Sequence, residues 1–142
     1  MMLIPNQNIN LLAVLVAAIV GMVVGALWYS VLFGKTWMKL MGITEAKMKE
    51  AQDKGSMSKS YLIAFLGILI MSYVLANFIE FTQATTISEA LQVGFWSWLG
   101  FIATVSLGSI LWECKPVKLY LINVAHQLVV LVLMSIILTL WI

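Results

Sequence analysis

The polar side chains best suited to binding a small molecule lie in the last apolar segment of the chain. Asn123, His126 and Gln127 occupy positions i, i+3 and i+4, so an α-helix would carry all three on one face. Residue counting places further polar side chains at a similar depth in the first and third apolar segments: Tyr29, Ser30, Ser106, Ser109 and Glu113. Polar groups within a bilayer must face protein or water, so these residues predict a polar pocket open toward the cytoplasm. The alternative is hydrogen bonding between helices, at about 0.6 kcal/mol per contact.

The same residues make a poor catalytic or metal-binding set. His126 is the only histidine and has no second His, Cys or acid at a spacing typical of metal or haem ligands. No Ser, His and Asp share the common depth that hydrolysis by a triad would require. Cys114 is the only cysteine, so it forms no intrachain disulfide. We therefore predict no catalytic residue, no metal and no other cofactor, and expect the protein not to be an enzyme.

Acidic residues near the apolar segments lie only at the segment ends, as Glu80, Glu89 and Glu113. A proton-coupled pump needs an ionisable group deeper in the membrane. The small four-helix multidrug exporters use a carboxylate in the first span, and the first apolar segment of this chain has none. This absence argues against that class.

The elements that position these side chains follow from the composition. The 142 residues are 63% hydrophobic and 10% charged, with a mean hydropathy of +1.04, far outside the range of soluble domains. Four apolar segments, about residues 9–33, 61–81, 90–112 and 117–141, reach the roughly 20 residues that cross a bilayer core. Backbone groups in lipid must be satisfied within the segment, which favours helices. The sequence predicts an all-α transmembrane four-helix bundle forming one integral membrane domain over residues 1–142.

The basic residues predict the orientation of this bundle. All eight are lysines, six in residues 35–59 between the first two segments and two, Lys115 and Lys118, between the last two. The N-terminus, residues 82–89 and the C-terminus carry none, so the positive-inside rule places both termini outside the cytoplasm of a bacterial cytoplasmic membrane. No Lys or Arg precedes the first segment, which is longer than a signal-peptide core, and we expect it to stay attached as a span. A net charge of +2 also argues against nucleic-acid binding.

Aromatic residues indicate where the spans leave the bilayer. Trp28 and Tyr120 are predicted at the cytoplasmic edge, and Trp96 and Trp98 toward the opposite edge. Pro5 and Pro116 both precede predicted helices, where a missing N–H is harmless.

The lysine-rich connection has an apolar face at helical spacing, formed by Trp37, Leu40, Met41, Thr44 and Met48. One interpretation is an amphipathic helix lying along the membrane surface, with Gly42 and Gly55 as stops. The other is a mobile charged loop whose lysines only set the orientation.

Small residues one turn apart predict close contacts between helices. The first segment carries a stripe that includes Gly21 and Gly25, and the third repeats Gly100, Thr104 and Gly108 every four residues. These stripes pack either within one four-helix subunit or at the seam of a homo-oligomer.

Three segments have a distinctive sequence: GALWYS at residues 25–30, LFGKTWMKLMG at residues 32–42 and the Leu-Ile-Asn that precedes His126. Through these segments, nearly the whole chain resembles a bacterial membrane family known as domain of unknown function 1761. Members often have a proline after the Trp-Tyr-Ser, where this chain has Val31, which predicts a less sharply ended first helix. The resemblance implies the membrane class and no activity.

These observations leave three functional hypotheses. The first is a non-enzymatic, homo-oligomeric bundle in the lipid bilayer that binds or passes a small lipophilic or neutral molecule. The second is a structural or accessory subunit that docks on another membrane protein, and the third is a membrane enzyme. A cavity lined by Asn123, His126 and Gln127 would favour the first, and a fully packed core with an exposed small-residue face the second.

Overall fold

The computed structural model describes residues 9–53 and 56–141, and every regular element in this part of the chain is helical. Pro5, Lys54 and Gly55 lie outside the described residues. The helices are α1 Leu11–Leu27, α2 Gly34–Met41, α3 Glu45–Asp53, α4 Ser56–Thr82, α5 Ile87–Trp98, α6 Gly108–Leu111 and α7 Val117–Trp141.

Short non-α turns extend two of these helices. A π-helical turn, Trp28–Leu32, follows α1, and a second one, Leu99–Ala103, follows α5 and leads through the 3₁₀ turn Val105–Leu107 into α6. With these turns included, four helices among the described residues are long and apolar enough to cross a membrane: Leu11–Leu32, Ser58–Thr82, Ile87–Leu111 and Val117–Trp141. At about 1.5 Å of rise per residue, each exceeds the roughly 30 Å bilayer core. The all-α class and the four long apolar helices predicted from the sequence are confirmed.

Side-chain caps begin two of the long helices. The Asn10 side chain accepts hydrogen bonds from the backbone N–H groups of Leu12 at 3.1 Å and Ala13 at 3.2 Å at the start of α1. Thr86 and Glu89 form a reciprocal capping box at the start of α5. Each cap satisfies N–H groups that have no partner within the helix.

The α7 helix lies at the centre of the fold, where it contacts α1, α4 and α5. In its most apolar window 44% of residues are buried, against 11% for the span Ile87–Leu111, which is therefore the most peripheral of the four. The core cluster consists of buried apolar side chains that include Val14, Leu75, Ile79, Val130 and Leu138, and the third span packs against this cluster with partly buried side chains. The Ser72 hydroxyl donates to the Val14 carbonyl at 2.9 Å and ties α4 to α1.

The predicted small-residue stripes meet different surroundings. Gly21 is buried, and a Cβ there would collide with the Ile68 side chain of α4, while Gly25 faces the His126 ring. In the third span, no atom outside the local helix backbone lies within 4 Å of where a Cβ at Gly100 would stand, and Thr104 is exposed. A Cβ at Gly108 would meet only the Trp112 ring, at 3.6 Å. The first stripe thus contacts other helices of the subunit, and Gly100 and Thr104 lie on the outer surface.

Three aromatic side chains connect the spans through backbone carbonyls. The Trp28 indole N–H donates to Ile122 at 3.1 Å, and that of Trp98 donates to Val124 at 2.7 Å. The Tyr120 hydroxyl donates to Ala103 at 2.7 Å, at the end of the second π-helical turn. The two indoles meet α7 two residues apart, about 3 Å along its axis, so the prediction that they mark opposite membrane edges is wrong.

The lysine-rich connection contains the two short helices α2 and α3. Gly42 ends α2 in the left-handed conformation, with φ of +71°, as a C-terminal glycine commonly does. Trp37, Leu40 and Met48 are half-buried, whereas the described lysines of this connection are exposed. The short helices contact the bundle, α2 at α7 and α3 at α4.

Candidate functional site

An open cleft of about 880 Å³ lies between α1 and α4, with α7 as its floor; we call it the α1–α4 cleft. The cleft lies on the lysine-bearing side of the Ser72 to Val14 hydrogen bond, and residues between Gly21 and Ser30 and between Tyr61 and Met71 line it. Its walls are largely apolar and include Met22, Ile68, Met71 and Val130. The polar groups are concentrated in Tyr29, Ser30, Tyr61, His126 and Gln127.

Tyr29 lies at the lysine-bearing end of the cleft, in the π-helical turn that follows α1. Its hydroxyl donates to the Asn123 side-chain oxygen at 2.7 Å. The ring packs edge-on against His126, with centroids 4.9 Å apart, and against Trp37 at 5.5 Å. Tyr29 therefore links the first span, the lysine-rich connection and α7 at one point.

His126 lies in the floor of the cleft beside Tyr29. A Cβ at Gly25 would be 3.2 Å from His126 Nε2 and 3.8 Å from Cε1, so the glycine provides the space in which the imidazole fits. Both ring nitrogens are buried, and neither has a hydrogen-bond partner among the described residues. A neutral imidazole has one donor and one acceptor nitrogen, so His126 retains unused capacity for both.

The predicted polar pocket is divided between two cavities. Tyr29, His126 and Gln127 line the α1–α4 cleft. Ser106, Ser109, Glu113 and Asn123 line a separate pocket of about 330 Å³ between α6 and α7, together with Tyr120. The bond from Tyr29 to Asn123 connects the two sets across α7.

In the smaller pocket, the Ser109 hydroxyl donates to the Ser106 carbonyl at 2.9 Å, and Glu113 is exposed. Within residues 9–53 and 56–141, no group of three or more His, Cys, Asp or Glu side chains is placed to hold a metal ion. The chemistry of both cavities is therefore that of neutral hydrogen-bonding groups, with one carboxylate at an open edge.

A second cleft, not anticipated from the sequence, lies between α4 and α5 at the opposite end of the bundle from the lysines. It has a volume of about 430 Å³, and its lining includes Phe78, Phe81, Glu89 and Trp96. The signal that could have found it is helical spacing, because its α5 residues recur at i, i+3, i+4, i+7 and i+8 from Glu89. We call it the α4–α5 cleft.

Fold and cavities together define an all-helical protein with four helices able to span a membrane and with clefts between them. Comparison with known families gives the more particular identity: residues 12–139 match the family described as protein of unknown function DUF1761, and the chain belongs to it. Neither the curated proteins nor the solved structures gave a match. The sequence-based assignment to this family is confirmed.

Proposed function

We propose that this chain is a multi-pass, non-enzymatic membrane protein that binds a small, neutral, lipophilic molecule in the α1–α4 cleft. The observation that carries the proposal is the cleft itself, about 880 Å³ of largely apolar lining with a few polar side chains at one end. Small-molecule sites commonly have this volume and this ratio of apolar walls to placed polar groups.

The lining suggests how such a molecule is held. Its apolar body contacts Met22, Ile68 and Met71, while a hydroxyl or carbonyl group bonds the Gln127 amide. A small rotation of His126 would bring one of its buried nitrogens to the same group. A buried polar group without a partner costs about 1–3 kcal/mol, so a ligand that pairs it recovers part of that free energy.

The distribution of lysines predicts which half of the membrane contains the α1–α4 cleft. The positive-inside rule places the lysine-rich connection in the cytoplasm and both termini outside it, so the cleft opens in the cytoplasmic half of a bacterial cytoplasmic membrane. The half-buried Trp37, Leu40 and Met48 suit α2 and α3 to the membrane surface, with their lysines toward water and lipid head groups.

A photoreactive long-chain alcohol, carrying a diazirine on its alkyl chain and reconstituted with the protein in liposomes, tests the proposal. Gly67 lines the cleft, and its Cβ position has no atom within 4 Å apart from its own helix backbone, so Gly67→Leu adds bulk to the cleft. Gly100→Leu is the matched control, because Gly100 has equally open surroundings outside the cleft.

We expect peptides containing Met22 and Met71 to be labelled in the parent protein and in Gly100→Leu, and to lose most labelling in Gly67→Leu. Equal labelling of these peptides in the two leucine variants would overturn the proposal. Labelling spread evenly over all lipid-facing segments would do the same.

The second candidate function, subunit assembly, rests on the peripheral position of the span Ile87–Leu111. This span is the least buried, and Gly100 and Thr104 lie on its outer face. Small residues let helix backbones approach closely, so this face suits a homo-oligomer seam or an accessory-subunit contact. Gly100→Leu should then lower the oligomer mass measured by light scattering in detergent, whereas Gly67→Leu should not.

A further inference from the structure

The α4–α5 cleft is built from one face of each of its two helices. Phe78, Phe81 and Thr82 stand at i, i+3 and i+4 on α4, and Glu89 and Trp96 lie two turns apart on α5. An adjoining side of α5 carries Ala90 and Gly94, both buried, and α5 packs against α7. The lining face of α5 remains as a wall of the cleft.

Aromatic rings form much of this wall. Phe78, Phe81 and Trp96 bring three rings to a cavity of about 430 Å³, which lies within the usual range for small-molecule sites. Ring faces carry partial negative charge and attract organic cations, with Trp the strongest of the three. An inorganic ion gains little here, because Glu89 is the only carboxylate in the lining.

The carboxylate of Glu89 is fixed at the edge of the cleft. Its Oε2 accepts hydrogen bonds from the backbone N–H groups of Thr85 at 2.6 Å and Thr86 at 3.1 Å. Hydrogen bonds of this kind stabilise the ionised form and hold it in place. Oε1 takes no part in these bonds, so it remains available to a positively charged ligand.

The charge around this end of the bundle favours the same ligand class. No Lys or Arg occurs between Lys59 and Lys115, while Glu80 and Glu89 both lie in this stretch. Glu80 lines a neighbouring pocket near the end of α4 and directly precedes Phe81 of the cleft lining. A surface of one sign raises the local concentration of ions of the opposite sign.

We propose that the α4–α5 cleft is a binding site for a lipophilic organic cation, such as an aryl or alkyl ammonium compound. The aromatic rings contact the apolar part of the cation and the methyl groups on its nitrogen, and the Glu89 carboxylate neutralises its positive charge. This site is independent of the neutral-ligand site proposed for the α1–α4 cleft, which lies at the other end of the same helix α4.

The test uses phenyltrimethylammonium and its uncharged carbon isostere tert-butylbenzene. The full chain is placed in nanodiscs of zwitterionic lipid, so that lipid charge does not attract the cation. Binding is followed by calorimetric titration and by tryptophan fluorescence, since Trp96 lies in the wall. The parent protein should bind the cation more tightly than the isostere.

Glu89→Gln removes the charge but keeps a side chain that can act in the capping box. We expect it to weaken cation binding about fivefold, near the upper end for a single exposed ion pair, and to leave binding of the isostere unchanged. Glu80→Gln is the matched control, because it removes one carboxylate at the same end without touching the lining, and it should have a smaller effect.

Trp96→Leu provides a second variant that does not depend on the capping box. Trp96 is 62% exposed, so its replacement should leave the fold intact while weakening cation binding about fivefold. Gly67→Leu, in the other cleft, should leave cation binding unchanged. Equal affinity of the parent for the cation and the isostere would overturn the proposal, and so would equal effects of Glu80→Gln and Glu89→Gln.

Discussion

Gly94 is a position at which α5 packs closely against α7, and replacing it tests the arrangement of the bundle. A Cβ there would stand 3.1 Å from both Ser135 Oγ and Val132 Cα, and 3.2 Å from the Leu131 carbonyl oxygen. Non-bonded heavy atoms pack best at about 3.5–4.0 Å, so the neighbours must move by a few tenths of an ångström. Two of the three atoms belong to the α7 backbone and cannot rotate aside. We therefore expect Gly94→Ala to destabilise the bundle.

The size of the effect follows from two opposing contributions. Overpacking of a filled interior typically costs about 1–3 kcal/mol, whereas Gly to Ala in a helix gains up to about 1 kcal/mol. Gly100→Ala makes the same change in the same span where no atom outside the local helix backbone lies within 4 Å. Comparing the two variants largely cancels the propensity gain, so Gly94→Ala should be less stable than Gly100→Ala by about 1–3 kcal/mol.

The measurement is a reversible unfolding titration in mixed detergent micelles, in which the SDS fraction is raised while far-ultraviolet circular dichroism follows the helix content. The free energies of unfolding of the parent and the two alanine variants are then compared. Equal values for the two variants, or a more stable Gly94→Ala, would refute the close contact between α5 and α7.

Three further predictions concern the α1–α4 cleft and the orientation. Tyr29→Phe removes the donor to Asn123 at 2.7 Å and should lower the free energy of unfolding by about 1 kcal/mol in the same titration. Gly25→Ala should destabilise by crowding His126, and adding His126→Ala should relieve the cost with a coupling energy of about 0.5–3 kcal/mol; strict additivity would contradict the contact. A reporter active only outside the cytoplasm should work when fused after the last residue and fail when fused near Gln52, and the reverse would overturn the orientation.

The sequence predicts the elements of this fold better than their arrangement. Long apolar runs specify helices because lipid leaves the backbone no other partner, and four such helices are present. Which helix is central is harder to read, because apolar side chains suit both lipid and a neighbouring helix. On α5, the small residues Ala90 and Gly94 are buried in the bundle. The sequence does not distinguish them from Gly100 and Thr104, which are small residues on the exposed face.

Residue counting predicts a similar depth for Tyr29 and His126, and their rings are in contact, with centroids 4.9 Å apart. Residue counting could not predict which of the polar residues line the same cavity, because residues at one depth can lie anywhere around the circumference of a helix. Asn123 and Gln127 therefore line different cavities although they are one turn apart on α7. The division depends on where α6 and α4 meet α7, which no local pattern encodes.

Tryptophan placement shows why an interfacial interpretation of aromatic residues can fail. An indole combines a large apolar surface with one N–H donor, and a membrane interface satisfies both parts. Within the bundle, the backbone carbonyls of Ile122 and Val124 accept hydrogen bonds from the indole N–H groups of Trp28 and Trp98, and each ring is partly buried. Trp98 lies near the middle of its span, just before the π-helical turn Leu99–Ala103, where the regular hydrogen-bond pattern changes. A tryptophan inside a long apolar run is therefore better tested first as a donor to a neighbouring helix than as a marker of the membrane edge.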